Sequence, residues 1–449
     1  MKTLVFGLGR SGSSVIRHLA KLGWSGVWFD ESSNPFGASE ALALGFLRLE
    51  TFDLSGIELV VAAPGVMMLH PSMQAAKAAN IPVWGEVELA FRTATFSSIG
   101  ITGTAGKGST TLLIAHLLES QGLNAKVGGN FDPPLLDVLD AQVCVVELSS
   151  FQLERIQTYR PEVAVITNIG VDHIRDHGSL AAYQAAKWQI AKNLGVNDTL
   201  VLPESLALGR ETQAQLARVA ESGAVLAQGT TLLTLEEIPN TVHPQNARVA
   251  VVAVLAYLKR HDKLPNLEKM RQALLEFPGV AGRFETIAIL QNTRFIEDSI
   301  ATRVLAVQSA LENAPAPIAW IVGGRDKLTP EEHSTEFLKL EPLMKKVAVL
   351  LAFGESGLVY AKALQHTGIR IVDLSAETAE TLMPKAVQLG FELAKGGSVL
   401  LAPLGTSFDL YKNYKARGLA FRDAVQALKD GTVTALKDAT VTALKKGAS

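Results

Sequence analysis

Twice within its first 110 residues the chain runs a short, wholly apolar stretch into a cluster of glycines and then directly into helix-forming sequence. The first instance is "TLVFGLGRSG", Thr3 to Gly12; the second is "SIGITGTAGKGST", Ser98 to Thr110. A strand covered on both faces reads as a continuous apolar run, and a helix after it must return over the sheet, so both stretches predict parallel strands joined by right-handed crossovers. An amphipathic stretch from Ser13 to Leu22 and a second strand at Val27–Phe29 complete the first unit. The same alternation recurs at "IELVVAAPGV", Val143–Glu147, Val163–Asn168, a helix from Leu180 to Lys192, "IAWIVGGRDK", "VAVLLAFGESGL" and "SVLLAPLGTSF". Strands alternating with helices in this way specify an α/β protein.

One core does not serve 449 residues, because single cores stop growing near roughly 250–300. "GEVELAF" closes the first segment near Arg92, and the Pro and Gly of "EFPGVAGRFE" mark a second linker near Gly279. The expected domains are 1–92, Rossmann-like; 93–279, a parallel sheet of P-loop ATPase type; and 280–449, a second Rossmann-like α/β domain. From about residue 428 the chain repeats itself, "TVTALKDA" then "TVTALKKG", a simple-sequence tail to which no function attaches.

Composition narrows the class of partner. A formal net charge of −2 gives no electrostatic footprint for nucleic acid or anionic lipid, and no stretch has the ~20 uninterrupted apolar residues of a membrane span. The N-terminus reaches its glycines before any long apolar run, so no exported leader is expected. The single cysteine, Cys144, lies inside the apolar run "AQVCVVELSS" and reads as core filler in a reducing, cytoplasmic setting.

The motifs carry chemistry. In "GLGRSG", Gly7, Gly9 and Gly12 suit a tight turn, close approach to a phosphate, and packing of helix on strand, so the amides at the helix start hold a pyrophosphate. Asp30 follows at the distance of an acidic residue that meets a ribose or base; alone, this pattern points to a dinucleotide enzyme. In "GTAGKGST", Gly103, Thr104, Gly106, Gly108, Ser109 and Thr110 form a second cradle, with Lys107 placed to neutralise β and γ phosphates. Gly108 is anomalous, because the position after the lysine normally carries the hydroxyl that holds a metal ion. Ser109 is the next candidate, though on a starting helix it points about 100° away. Glu147 and His173 stand at the carboxyl ends of predicted strands, where they could share Mg²⁺. Lys187 by itself is a helix lysine of no special character.

Taken in order, "LVFGLGRSG", "APGV", "GEVELAF", "TGTAGK", "VGGN", "ELSSFQL", "DHIRDHGSLAAYQAAK", "GRFE", "DSIAT", "GGRDK" and "SFDLYKNYKARG" resemble the Mur ligases of peptidoglycan synthesis over nearly the whole chain except its tail. The resemblance implies ATP-dependent addition of D-glutamate to UDP-N-acetylmuramoyl-L-alanine through an acyl phosphate, by a cytoplasmic monomer. It implies that the first domain holds UDP rather than NAD, with Arg10 and Ser11 at the diphosphate, Asp30 at the uracil, and Asn130 and His173 further along the substrate. Lys107 would meet ATP; Glu147, His173 and a carbamylated Lys187 would hold two Mg²⁺ ions, with Ser109 as a further candidate. Asn246, Arg283, Asp298 and Thr302 would contact the nucleotide, and Lys327, Ser407, Phe408 and Tyr414 would receive D-glutamate. The resemblance also implies closure of the third domain onto the second, which brings the amine to the acyl phosphate and keeps water out.

Several positions depart from the family pattern. Ala63 replaces a serine, Ile300 replaces a lysine that faces phosphates, one asparagine before Asn246 is missing, and "APLGTS" stands for a Ser-Pro-Ala-Cys-Ala-Ser run. Two alternatives therefore stand beside the ligase: a folylpolyglutamate-synthase-like amide ligase with another amino acid, and a nucleotide-binding relic whose activity has lapsed. Gly108 and Ile300 motivate the relic; the "GLGRSG" domain argues against the folylpolyglutamate type.

Overall fold

The computed structural model describes residues 2–431 apart from Asn240, Ala281, Lys327 and Thr329, and omits the side chains of Arg175, 330–332 and Ser334. It divides into two compact units, Met1–Phe277 and Pro278–Ser449. Residues 432–449 of the repetitive tail lie outside the described residues.

The first unit holds two parallel sheets. Strands β1 (Thr3–Phe6), β2 (Gly26–Phe29), β3 (Leu47–Arg48), β4 (Leu59–Ala62) and β5 (Val83–Trp84) assemble in the order β3-β2-β1-β4-β5. All residues of β1 and β4 are buried, which is why both read as unbroken apolar runs. The chain goes to one side of β1 for β2 and to the other for β4, leaving a crevice at the carboxyl ends of β1 and β4. The second sheet is built from β6 (Ser98–Thr102), β7 (Ala125–Gly129), β8 (Val143–Glu147), β9 (Val163–Ile166), β10 (Thr199–Pro203) and β11 (Gln215–Val219), ordered β11-β10-β9-β6-β8-β7. β6 is central, flanked by β8 and β9, so whatever follows these three strands meets at one sheet edge. A small antiparallel pair, β12 (Val225–Ala227) and β13 (Thr230–Leu233), lies outside both sheets.

The helix Glu86–Thr93 carries two carboxylates inward. Burial pushes the Glu88 carboxyl up, but hydrogen bonds from the Thr158 hydroxyl and from the amides of Gln157, Thr158 and Tyr159 outweigh it and leave the pKa below the usual carboxylate range. Glu86 is less well compensated. Burial raises it to about 7 against one hydrogen bond from the Leu136 amide, and its Oε2 has no partner in hydrogen-bonding geometry although the Ser11 hydroxyl is near enough to draw its pKa down.

The second unit has one six-stranded sheet: β14 (Glu285–Leu290), β15 (Thr293–Glu297), β16 (Ile318–Gly323), β17 (Val347–Phe353), β18 (Ile371–Asp373) and β19 (Ser398–Leu404), in the order β14-β15-β19-β16-β17-β18. Only β14 is antiparallel, at one edge. Trp320, fully buried on β16, donates its indole N–H to Ala402 O at 2.8 Å, which satisfies the one polar atom of the largest core side chain there.

Two helix boundaries differ from the sequence expectation. The first helix begins at Arg10, not Ser13, because Gly9 keeps extended backbone and the helix takes over the end of the glycine turn. The helix expected to reach Lys192 ends at Trp188 and continues as a 3₁₀ turn over Gln189–Ala191, the tightening common at helix ends.

Candidate active site

The turn after β1 is shaped by its own acidic residue. Asp30, just past β2, accepts the Leu8 amide at 2.6 Å through Oδ2 and the Ser32 amide at 2.8 Å through Oδ1, so its carboxylate fixes the loop as well as facing the crevice. The third glycine is there for close approach: a Cβ on Gly12 would stand 2.0 Å from Gly7 O. Helix Arg10–Lys21 then points its first amides at a cavity of about 420 Å³ lined by Gly7, Gly9, Arg10, Ser11, Asp30 and Ala63 among others. Free amides and the positive end of a helix dipole favour an anion at that mouth. Arg10 is also paired with Asp132, at 2.5 Å.

At the edge of the second sheet the loop after β6 leads into helix Lys107–Ser120 through Gly106, whose φ of +79° lies in the left-handed region that a side chain disfavours. Asn168, two residues past the end of β9, clamps this loop: its Oδ1 accepts the amides of Thr104 and Ala105, and its Nδ2 donates to Ala105 O. Lys107 Nζ donates to Gly103 O at 2.9 Å and Thr104 O at 3.2 Å, which holds the ammonium over the loop. Gly108 is buried in the first helical turn, Ser109 is half-buried, and the hydroxyls of Thr110 and Thr111 are buried without hydrogen-bond partners. Asn246, on helix Pro244–Arg260, lies against the loop, its Oδ1 2.9 Å from where a Gly106 Cβ would stand.

Glu147 ends β8 beside this loop. Its Oε1 accepts Asn130 Nδ2 at 2.7 Å, while Oε2 is buried with no hydrogen-bond partner. A buried carboxylate oxygen so exposed to desolvation calls for a cation. Lys187 is 2% exposed, donates to Gly103 O at 2.7 Å and rests 4.7 Å from the Tyr183 ring centre. Burial, reinforced by repulsion from Lys107, drives its amine well below the ordinary lysine pKa; attraction to Asp172 and Glu147 opposes this and is outweighed. His173 has a left-handed backbone, φ +49°, and its Nδ1 meets Asp176 at 2.7 Å. Its ring packs edge-on against Phe151, 4.9 Å away, and Phe151 stacks on the buried His177. Among the described residues, no three His, Cys, Asp or Glu side chains form a ready metal cluster, so a cation at Glu147 would need ligands beyond these side chains, from water, phosphate or a modified lysine, as suits Mg²⁺.

The second unit, taken by itself, gathers its expected residues at strand ends. Asp298 follows β15 and is 7% exposed; burial raises its carboxyl to about 7 even though Arg283 pulls it down. Thr302 lies in the same loop, its amide donating to Ile300 O. Ser407 is buried in the turn after β19, with Phe408 63% exposed beside it, and Tyr414 opens helix Tyr414–Lys429. Lys327 lies outside the described residues. The buried Arg417 ties the two loops together, donating to Ser299 O at 2.8 Å and Gly405 O at 3.1 Å.

Sequence reasoning missed Asn168, Tyr183, Glu86 and Arg417. Asn168 had a signal, being a polar side chain two residues past a buried strand beside the phosphate loop. Tyr183 had one too, lying four residues before Lys187 on the same helical face, where its hydroxyl meets Thr104 Oγ1 at 2.9 Å. Glu86 and Arg417 had none, because burial of a charged side chain is a tertiary outcome.

Residues 101–229 match the model of the Mur ligase middle domain, and residues 1–85 that of the MurD-like N-terminal domain of Mur ligases. The fold agrees. A UDP-N-acetylmuramate–alanine ligase structure from Thermotoga maritima superposes with a TM-score of 0.56 at 18% identity, over 95% of this chain and all of that one. Fold and phosphate cradles thus define the class as a three-domain α/β ligase of Mur type. UDP-N-acetylmuramoylalanine–D-glutamate ligases of Deinococcus radiodurans and Thermus thermophilus are 44% and 43% identical, each over 95% of this chain and over 92% and 97% of their own lengths. The chain belongs to the Mur ligases, in the family of UDP-N-acetylmuramoylalanine–D-glutamate ligases.

Proposed function

We infer that the chain joins D-glutamate to UDP-N-acetylmuramoyl-L-alanine at the expense of ATP, in peptidoglycan precursor synthesis. The observation that carries this is the presence, in one compact unit, of a cavity of about 420 Å³ lined by Gly7, Gly9, Arg10 and Ser11 and a separate phosphate loop flanked by Lys107 and the orphaned Glu147 oxygen. A dehydrogenase has use for the first and none for the second.

The residues divide the work as follows. Arg10, Ser11 and Asp30 seat the uridine diphosphate, with Asn130 and His173 further along the substrate. Gly103, Thr104, Gly106, Gly108, Ser109 and Thr110 cradle ATP by backbone amides and Lys107 by charge, and Asn246, Arg283, Asp298 and Thr302 complete its contacts. The substrate carboxylate attacks the γ-phosphorus and ADP leaves, giving an acyl phosphate. The amine of D-glutamate, received by Lys327, Ser407, Phe408 and Tyr414, then attacks the acyl carbon, loses a proton, and phosphate departs from the tetrahedral intermediate. Catalysis of this kind is mostly positioning and charge neutralisation. Glu147, His173 and Lys187, the last as its carbamate, would hold two Mg²⁺ ions, with Ser109 near; bound there, Mg²⁺ supplies neutralisation of phosphate charge. The residues act as three domains, 1–92, 93–279 and 280–449, in a cytoplasmic monomer whose partners are small molecules. Among the described residues no helix is long and apolar enough to cross a membrane.

Phosphate release measured with each substrate omitted in turn tests the assignment. Release is expected only when ATP, UDP-N-acetylmuramoyl-L-alanine and D-glutamate are all present; release with a different amino acid, or none with any, would defeat it. Gly108 gives a second expectation. Restoring a hydroxyl by Gly108→Ser should lower the Mg²⁺ concentration for half-maximal release by about tenfold, ~1.4 kcal/mol. An unchanged Mg²⁺ requirement would mean that water already fills that role at no cost.

A further inference from the structure

Residues 130–137 touch both nucleotide cradles of the first unit. At one end Asn130 is joined to the end of β8 twice, its amide donating to Glu147 O at 2.8 Å and its Nδ2 to Glu147 Oε1 at 2.7 Å. The fit there is tight: a Cβ on the preceding Gly129 would lie 2.4 Å from Glu147 O. At the other end the segment grips helix Arg10–Lys21. Asp132 pairs with Arg10, and Asp137 accepts Ser14 Oγ at 2.9 Å and both of its oxygens take Arg17 NH2, at 3.0 and 2.7 Å. Between them the Leu136 amide donates to the buried Glu86, whose carboxyl also feels the Ser11 hydroxyl. Arg10 and Ser11 line the 420 Å³ cavity, so a single eight-residue stretch is bonded to the lining of one cradle and to the carboxylate of the other.

We propose that this segment couples the two sites, with Asp132 and Asp137 as positioning residues that keep the diphosphate cradle in register with the carboxylate beside the phosphate loop. The proposal rests on the functional assignment of the two cradles made above. The chemistry gives it a purpose. Phosphoryl transfer needs the far end of a long substrate, anchored at its diphosphate, to arrive in line with the γ-phosphate, and small misplacements of reacting atoms are costly. Such coupling is reciprocal, each ligand changing the other's affinity by the same factor.

The test is a binding cycle with the full chain, Mg²⁺ and a non-hydrolysable ATP analogue. The affinity for UDP-N-acetylmuramoyl-L-alanine should be at least about fivefold higher with the analogue bound. In the double variant Asp132→Ala, Asp137→Ala that factor should fall to within about twofold of unity, while each ligand alone binds within about threefold of the unsubstituted protein. Both side chains are partly exposed, 57% and 30%, so the variant is expected to fold, which its melting temperature verifies. A purely structural role would weaken one or both affinities and leave the factor untouched, and that result overturns the proposal, as does a factor of unity in the unsubstituted protein. Failure of either ligand to bind alone would overturn the functional assignment and the coupling with it.

Discussion

Lys107→Ala is expected to lower kcat/KM for phosphate release by about a thousandfold, the scale found when a single preorganised charge is taken from a developing phosphoryl or oxyanion site. The loss should be catalytic. Lys107 is the first residue of its helix, where alanine is an excellent helix former, and the loop geometry is held by Asn168 and by the left-handed turn at Gly106. What disappears is an ammonium held 2.9 and 3.2 Å from two loop carbonyls at the mouth of the cradle. The melting temperature should move little. Lys107→Arg should recover only a small part of the rate, because a planar fork does not reproduce a compact point charge inside a loop of this size. A fully active Lys107→Ala protein would mean that the loop carries no phosphate in the reaction, and the functional assignment would go with it.

How much of this was legible beforehand follows from what each residue depends on. The strands and turns were readable because burial on both faces leaves an unbroken apolar run, and because close backbone approach at Gly12 and left-handed backbone at Gly106 admit almost nothing but glycine. Asp30 was found by its spacing from the glycine turn, Arg10 and Ser11 through the family resemblance, and the structure puts all three on one cavity. Asn246 was found only through the family resemblance, since 139 residues of intervening chain hide its place beside Gly106. The unusual state of Lys187 was invisible in the sequence itself. A lysine on a helix reads as a solvated side chain, and only the packing of Tyr183 beneath it and Lys107 near it makes it otherwise. The 130–137 segment was opaque for a related reason: "NFDPPLLD" reads as a loop, and its value lies in bonds to residues some 120 positions away.

Lys187→Met should cut the rate by at least about a hundredfold, and the rate of the unsubstituted protein should depend on bicarbonate. Burial and the nearby Lys107 push the pKa of the amine well below that of an ordinary lysine, which favours its neutral form. A neutral amine attacks carbon dioxide at carbon, its lone pair forming the N–C bond while one proton leaves, and the product is a carbamate anion on the same side chain. The carbamate keeps an N–H, so the hydrogen bond to Gly103 O can survive the change. The gain of negative charge also suits the site. An amine here faces Lys107 in a buried setting, whereas a carbamate faces it as a counter-ion and adds oxygen ligands beside Glu147 for Mg²⁺. Protein depleted of carbon dioxide should therefore lose most of its activity and regain it on adding bicarbonate, with ¹³C-labelled bicarbonate giving a carbamate carbon resonance that Lys187→Met lacks. The free amine leaves a further trace in stability: with the folded pKa below 10.5, the unfolded chain binds the extra proton, so this group's contribution should rise with pH until the unfolded lysine itself deprotonates. Activity indifferent to carbon dioxide, with no labelled resonance, would leave Lys187 as a neutral amine bonded to Gly103, and Glu147 would then have to hold its cation without it.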